Sequence, residues 1–124
     1  MLFAKGNTLS IPQGDSGELH LRGTTVGGDP LVFQPGDVVC FATNERANTP
    51  SATPAIYKEV RLQEPKDVVT IYFAPEDTQH LTGTFKYDLK VVTAAGRVDT
   101  IVRDAIFTIL PAVFLYGEAG GVEP

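Results

Sequence analysis

Phe85-Lys86-Tyr87-Asp88-Leu89-Lys90-Val91 is the stretch that decides the fold. Apolar side chains at 85, 87, 89 and 91 alternate strictly with charges at 86, 88 and 90. A strand sends successive side chains to opposite faces, so this spacing gathers the apolar groups on one side and the charges on the other. The roughly 3.6-residue turn of a helix would scatter the same side chains around its circumference. The stretch therefore reads as a half-buried β-strand.

The same period recurs on both sides of it. Downstream, Ala94-Ala95-Gly96-Arg97 reads as a hairpin connection into a long β-branched stretch holding Val98, Ile101, Val102, Ile106 and Ile109. Arg103-Asp104 interrupts that stretch and predicts a bulge. Upstream, Leu19 and Leu21 alternate with Glu18, His20 and Arg22. Val69, Ile71 and Phe73 alternate with Val68, Thr70 and Tyr72, with little polarity on either face, which predicts a central strand. Strands are expected at 8–12, 17–22, 38–43, 55–62, 67–73, 84–92 and 97–110, the charged 55–62 segment at an edge. Gly14–Gly17, Gly27–Pro30 and Gln34–Asp37 supply turn chemistry, and 44–54 is a longer polar loop. Ala74-Pro75-Glu76-Asp77 predicts a single helical turn, with Pro in its first turn and acids at its positive end. The pattern as a whole predicts one immunoglobulin-like antiparallel β-sandwich of about seven strands over residues 1–116, with a mobile tail at 117–124. Its expected core is Leu21, Phe41, Ile71, Phe73, Phe85, Tyr87 and Leu89.

Composition narrows the function. The chain has 124 residues, 43% of them hydrophobic, enough for one domain that hides roughly two-thirds of its unfolded surface. Net charge is −5 and the ten Lys and Arg residues are scattered, which disfavours nucleic acid as a partner. No apolar run approaches the roughly 18 residues a membrane span needs. The start reads as no signal peptide, so synthesis in the cytoplasm is expected. The single cysteine, Cys40, sits in the apolar run Val38–Ala42 and reads as a small buried hydrophobe.

Catalytic motifs are weak. Gly14-Asp15-Ser16-Gly17 resembles the nucleophile region of trypsin-like proteases, but no His precedes Ser16 and Glu18 stands where that family has Gly. A tight turn explains it better. His20 and His80 lack a Cys or second His at zinc-ligand spacing. Asp15, Asp29, Asp37, Asp77 and Asp104 fall in turns or at the bulge, where aspartates cap backbone groups. No phosphate-binding fingerprint occurs and Trp is absent. The expectation is a protein that is not an enzyme, needs no metal, disulfide or cofactor, and acts by binding.

Leu81-Thr-Gly83-Thr-Phe85-Lys-Tyr87-Asp-Leu89 resembles strand F of immunoglobulin domains. Phe85 holds the place of the tyrosine corner, and Tyr87 that of the disulfide cysteine. A wider resemblance covers residues 8–110. Ile11–Ser16 with Leu19 and Leu21, Pro35–Phe41, Val69–Thr78, Gly83–Asp88 and Gly96–Ile101, in that order and spacing, are similar to the N-terminal β-sandwich domains of phage baseplate upper proteins. The resemblance implies a phage or prophage structural protein, a tail or baseplate component without catalytic residues. It would end up in the virion, with other virion proteins and copies of itself as partners. A carbohydrate- or ligand-binding β-sandwich module is the alternative, and a non-phage relative of the same fold stays open.

Pro111–Tyr116 is apolar yet follows the last strand. It must pack back over its own domain or be buried on another chain, since exposed apolar patches mark contacts. Phe114 and Tyr116 are the candidate interface residues of an expected homo-oligomer.

Overall fold

A computed structural model describes residues 1–24, 27–44 and 54–115 and shows an all-β sandwich. Its elements are β1 (Phe3–Lys5), β2 (Thr8–Pro12), β3 (Gly17–Leu21), β4 (Val38–Asn44), β5 (Ile56–Arg61), β6 (Val69–Phe73), α1 (Pro75–Thr78), β7 (Gly83–Val92) and β8 (Val98–Leu110). A six-stranded sheet, ordered β1-β2-β8-β7-β4-β5, packs on a two-stranded sheet of β3 and β6. The chain crosses between the layers after β2, β3, β5 and β6, so sequence neighbours are often not sheet neighbours.

Every expected strand is present with its ends within two residues, and three features depart from expectation. Among the described residues there are eight strands, because β1 was hidden: Phe3, Ala4 and Lys5 are all exposed, so burial imposed no alternation on them. The sandwich is not wholly antiparallel, since β2 pairs with β8 in parallel from Leu9 opposite Phe107 to Pro12 opposite Leu110. The 67–73 segment is not central; β6 pairs only with β3 among the described residues, and Tyr72 is 65% exposed. Its second apolar face therefore reflects β-propensity rather than burial. β5 lies at an edge as expected. The 45–53 part of the expected loop and the 117–124 tail fall outside the described residues.

The predicted bulge is real. The β7–β8 register slips between Tyr87 and Leu89 and again between Leu89 and Lys90. Asp104 adopts a left-handed φ of 53°, and its N–H donates to Asp88 Oδ1 at 2.8 Å. Asp is among the few residues that tolerate this conformation, and the bond to Asp88 holds it there. In the Gln34–Asp37 turn, Gly36 has φ 89° while Asp37 Oδ2 accepts the Gln34 N–H at 2.9 Å.

The core centres on Phe41. Its ring meets Phe73 edge-on at 5.2 Å, stacks on Tyr87 at 5.1 Å and meets Phe107 at 5.6 Å. Such pairs add roughly 0.5–1.5 kcal/mol each beyond burial of their area. Phe41, Ile71, Phe73, Phe85, Tyr87 and Leu89 are buried as expected, whereas Leu21 is only partly buried at the rim. Cys40 departs from its reading: it is half-buried, because Val39 and Phe41 take the inward positions of β4 and turn it to the outer face. Between the sheets, Lys58 Nζ on β5 bonds Asp77 Oδ2 on α1 at 2.7 Å. The same oxygen accepts the Ala74 N–H at 2.7 Å and so caps the helical turn. No helix among the described residues is long and apolar enough to cross a membrane.

Candidate interaction surface

The segment after β8 is held by the turn that ends β2. Gln13 donates its N–H to Leu110 O at 2.8 Å, and its Oε1 accepts the Ala112 N–H at 3.3 Å. Its Nε2 reaches Gln79 O at 2.9 Å, and the adjacent Gly14 N–H bonds the fully buried Thr78 hydroxyl at 2.8 Å. Gly14 is required twice over. Its φ is 78°, and a Cβ there would lie 2.7 Å from Leu115 Cδ2. Leu115 thus folds back onto the domain, while Val113 and Phe114 point outward, Phe114 at 57% exposure. Tyr116, its companion candidate, falls outside the described residues.

A second exposed apolar surface lies on the outer face of the large sheet. Residues paired across a sheet share a face, so Phe3, Ser10 and Thr108 lie in one outward row, with Pro12 and Leu110 in the next. Phe3, Ile106 and Leu110 are 55%, 37% and 42% exposed. This corner of the outer face, on β1, β2 and β8, carries mostly hydroxyls and apolar groups, with one charge at Lys5, which shares the face of Phe3 and lies opposite Thr8. The other half of the same face, on β7, β4 and β5, carries Lys86, Asp88, Lys90, Glu59 and Arg61. The position of Phe114 after the last strand marks it in the sequence. Nothing local marks Phe3, Ile106 and Leu110, which only the β1-β2-β8 pairing brings together.

Three polar groupings bring together groups that could carry chemistry. On the open face of the small sheet, His20 Nδ1 lies 2.9 Å from Thr70 Oγ1 and its Nε2 lies 3.3 Å from Glu18 Oε2. Carboxylate, imidazole and hydroxyl stand in the order of a nucleophilic triad. His20 and Glu18 are each more than half exposed, however, so water competes for both bonds on a flat surface. On the outer face of the large sheet, the Tyr57 hydroxyl contacts Cys40 Sγ at 3.5 Å and Glu59 Oε2 at 2.9 Å. These hydrogen bonds, that to Cys40 first, raise the phenol well above its ordinary range. An open groove of about 650 Å³ is lined by Pro30, Val32 and residues 64–68. Its charges include Lys66 and Glu64, already paired at 3.6 Å. Among the described residues no group of three or more His, Cys, Asp or Glu side chains could hold a metal ion.

The β1-β2-β8 corner and Phe114 thus expose several large apolar side chains that no polar grouping accompanies. What they can do is exclude water against another surface of matching shape. No protein-family model, curated protein or solved structure matches the chain.

Proposed function

We propose that this protein is a structural assembly subunit, a tail or baseplate component of a phage or prophage particle that binds copies of itself and other virion proteins. The observation that carries the assembly reading is the largely apolar outer corner formed by Phe3, Ile106 and Leu110, together with the exposed Phe114 that follows β8. In a protein of net charge −5, the outward side chains of β1, β2 and the end of β8 include no carboxylate, so two acidic molecules can meet there without opposing acidic groups. The phage assignment is supported by the motif resemblance. Its five stretches fall on strand-plus-turn units: β2 with its turn, the 34–37 turn with β4, β6 with α1, β7, and the start of β8.

Two measurements test the two parts. Light scattering after size exclusion at about 100 µM, where a micromolar contact is saturated, is expected to show an oligomer for the wild type and a smaller species for Phe114→Ser. A monomeric wild type ends the assembly reading. Mass spectrometry of particles purified after prophage induction is expected to find the chain in the particle; its absence ends the phage assignment.

A ligand-binding module is the second reading, favoured by Tyr72, whose ring stands 65% exposed on the open β3–β6 face opposite Glu18. Retardation in a polysaccharide gel, abolished by Tyr72→Ala, would support it over assembly.

A further inference from the structure

β5 closes the large sheet on the side opposite β1, and among the described residues no strand lies beyond it. Its outward side chains are Tyr57, Glu59 and Arg61; its inward ones are Ile56, Lys58 and Val60. An open edge offers unpaired backbone N–H and C=O groups to another strand. Inward charges and edge lysines usually blunt such an edge. Here Lys58 is already paired with Asp77 at 2.7 Å, so a covering strand would not strand its charge.

We infer that β5 is a self-pairing edge that joins two copies of this chain in an antiparallel, two-fold-symmetric continuous sheet. It rests on the assembly reading only in expecting self-association, and it concerns the edge remote from Phe3. The register follows from charge. In an antiparallel pair, opposed residues share a face, so a two-fold axis at the centre of β5 passes through residue 58, 59 or 60. An axis through 58 opposes Lys58 to its own copy, and one through 59 opposes Glu59 to its own copy. Like charges directly opposite each other disfavour both. An axis through 60 places Val60 against Val60 and sets Glu59 opposite Arg61 twice, once on each side of the axis. Only this register converts the charges of the strand into two intermolecular ion pairs.

The test uses charge reversal at these two exposed positions of the full chain. E59R alone places arginines at both 59 and 61, and R61E alone places glutamates at both. Each purified single variant is expected to sediment as a smaller species, no longer joined through β5, with the far-UV circular dichroism of the folded wild type. Mixing the two restores two Arg–Glu pairs, so the mixture is expected to form a one-to-one heterodimer, detected by tagging one variant. The double variant E59R/R61E is expected to self-associate as the wild type does. Salt near 1 M, where the Debye length falls to roughly 3 Å, is expected to narrow the differences among variants. If the wild type associates but single reversals leave it unchanged and the mixture shows no exchange preference, β5 is not the contact and the assembly reading stands. If the wild type is monomeric, both fail.

Discussion

The Tyr87 hydroxyl donates to the backbone carbonyl of Asn7 at 2.5 Å, across 80 positions of sequence. That bond links the middle of β7 to the turn between β1 and β2. The ring itself is buried against Phe41, and Phe107 meets it edge-on. At the place where the resemblance to immunoglobulin strand F sets a disulfide cysteine, this chain has an aromatic ring with one long-range hydrogen bond.

Tyr87→Phe is accordingly expected to cost about 1 kcal/mol, the usual net worth of one hydrogen bond, with the fold retained. Burial pushes the Tyr87 pKa up to about 12 from 10.0. A group whose pKa is raised on folding contributes stability that is complete below the unfolded pKa and is lost as pH climbs through the folded one. Wild-type stability should therefore fall between about pH 10 and pH 12, by at most roughly 3 kcal/mol from this group. The fall should be shallower in Tyr87→Phe. Tyr57 is raised as well, so urea melts across this range are best compared in a Tyr57→Phe background.

Phe85 is 4% exposed and lies opposite Phe107 in the β7–β8 ladder. Phe85→Ala should cost about 3–5 kcal/mol in urea melts, the range for truncating a buried Phe. A loss below about 1 kcal/mol would mean that the site collapses around the smaller side chain or that the ring is not packed as described.

The bulge at Asp104 gives a paired prediction. Its φ of 53° suits Gly, so Asp104→Gly should change the melting temperature little. Asp104→Val should lose about 1–2 kcal/mol, because a β-branched side chain is strained in the left-handed region. Equal effects from the two substitutions would show that the conformation is not what matters there.

Asp77 serves two partners through one oxygen, the Ala74 N–H and Lys58 Nζ. Asp77→Ala should cost about 1–2 kcal/mol, chiefly by removing the cap. Lys58→Met should cost less than about 1 kcal/mol, since both side chains keep partial contact with water. A double-mutant cycle between them should give a coupling of about 0.5 kcal/mol or more, and a coupling near zero would show that the pair is screened.

The strands were legible wherever one face is buried and the other is not. Phe85 to Val91 is the clearest case, with alternation that runs unbroken through β7. Phe3–Lys5 gave no signal because no side chain of β1 is buried, and an exposed strand is defined by its partner rather than its own residues. Cys40 was misread because Val38 to Phe41 is apolar on both faces, which erases the period that would have shown which way it points. Pairing was legible only for the β7–β8 hairpin, through its Ala94–Arg97 turn, and was out of reach elsewhere. Leu9 lies opposite Phe107, and His20 meets Thr70 across 50 positions; neither relation leaves a local trace. Phe114 was readable as a surplus apolar residue, whereas the outer face shared by Phe3, Ile106 and Leu110 depends on those same distant pairings.

The parallel pairing of β2 with β8 also has a mechanical consequence. Because β1 folds back along β2, Met1 lies beside the end of β2, its amino group paired with Asp15, and Leu110 leaves the sheet at that same pole opposite Pro12. Tension applied between those two points would load the ladder from one end, peeling β1 from β2 and β8 from its neighbours one hydrogen bond at a time. Strands pulled from opposite poles would instead share the load along their whole length in shear. Stretching applied between Met1 and Leu110 is therefore expected to meet little resistance.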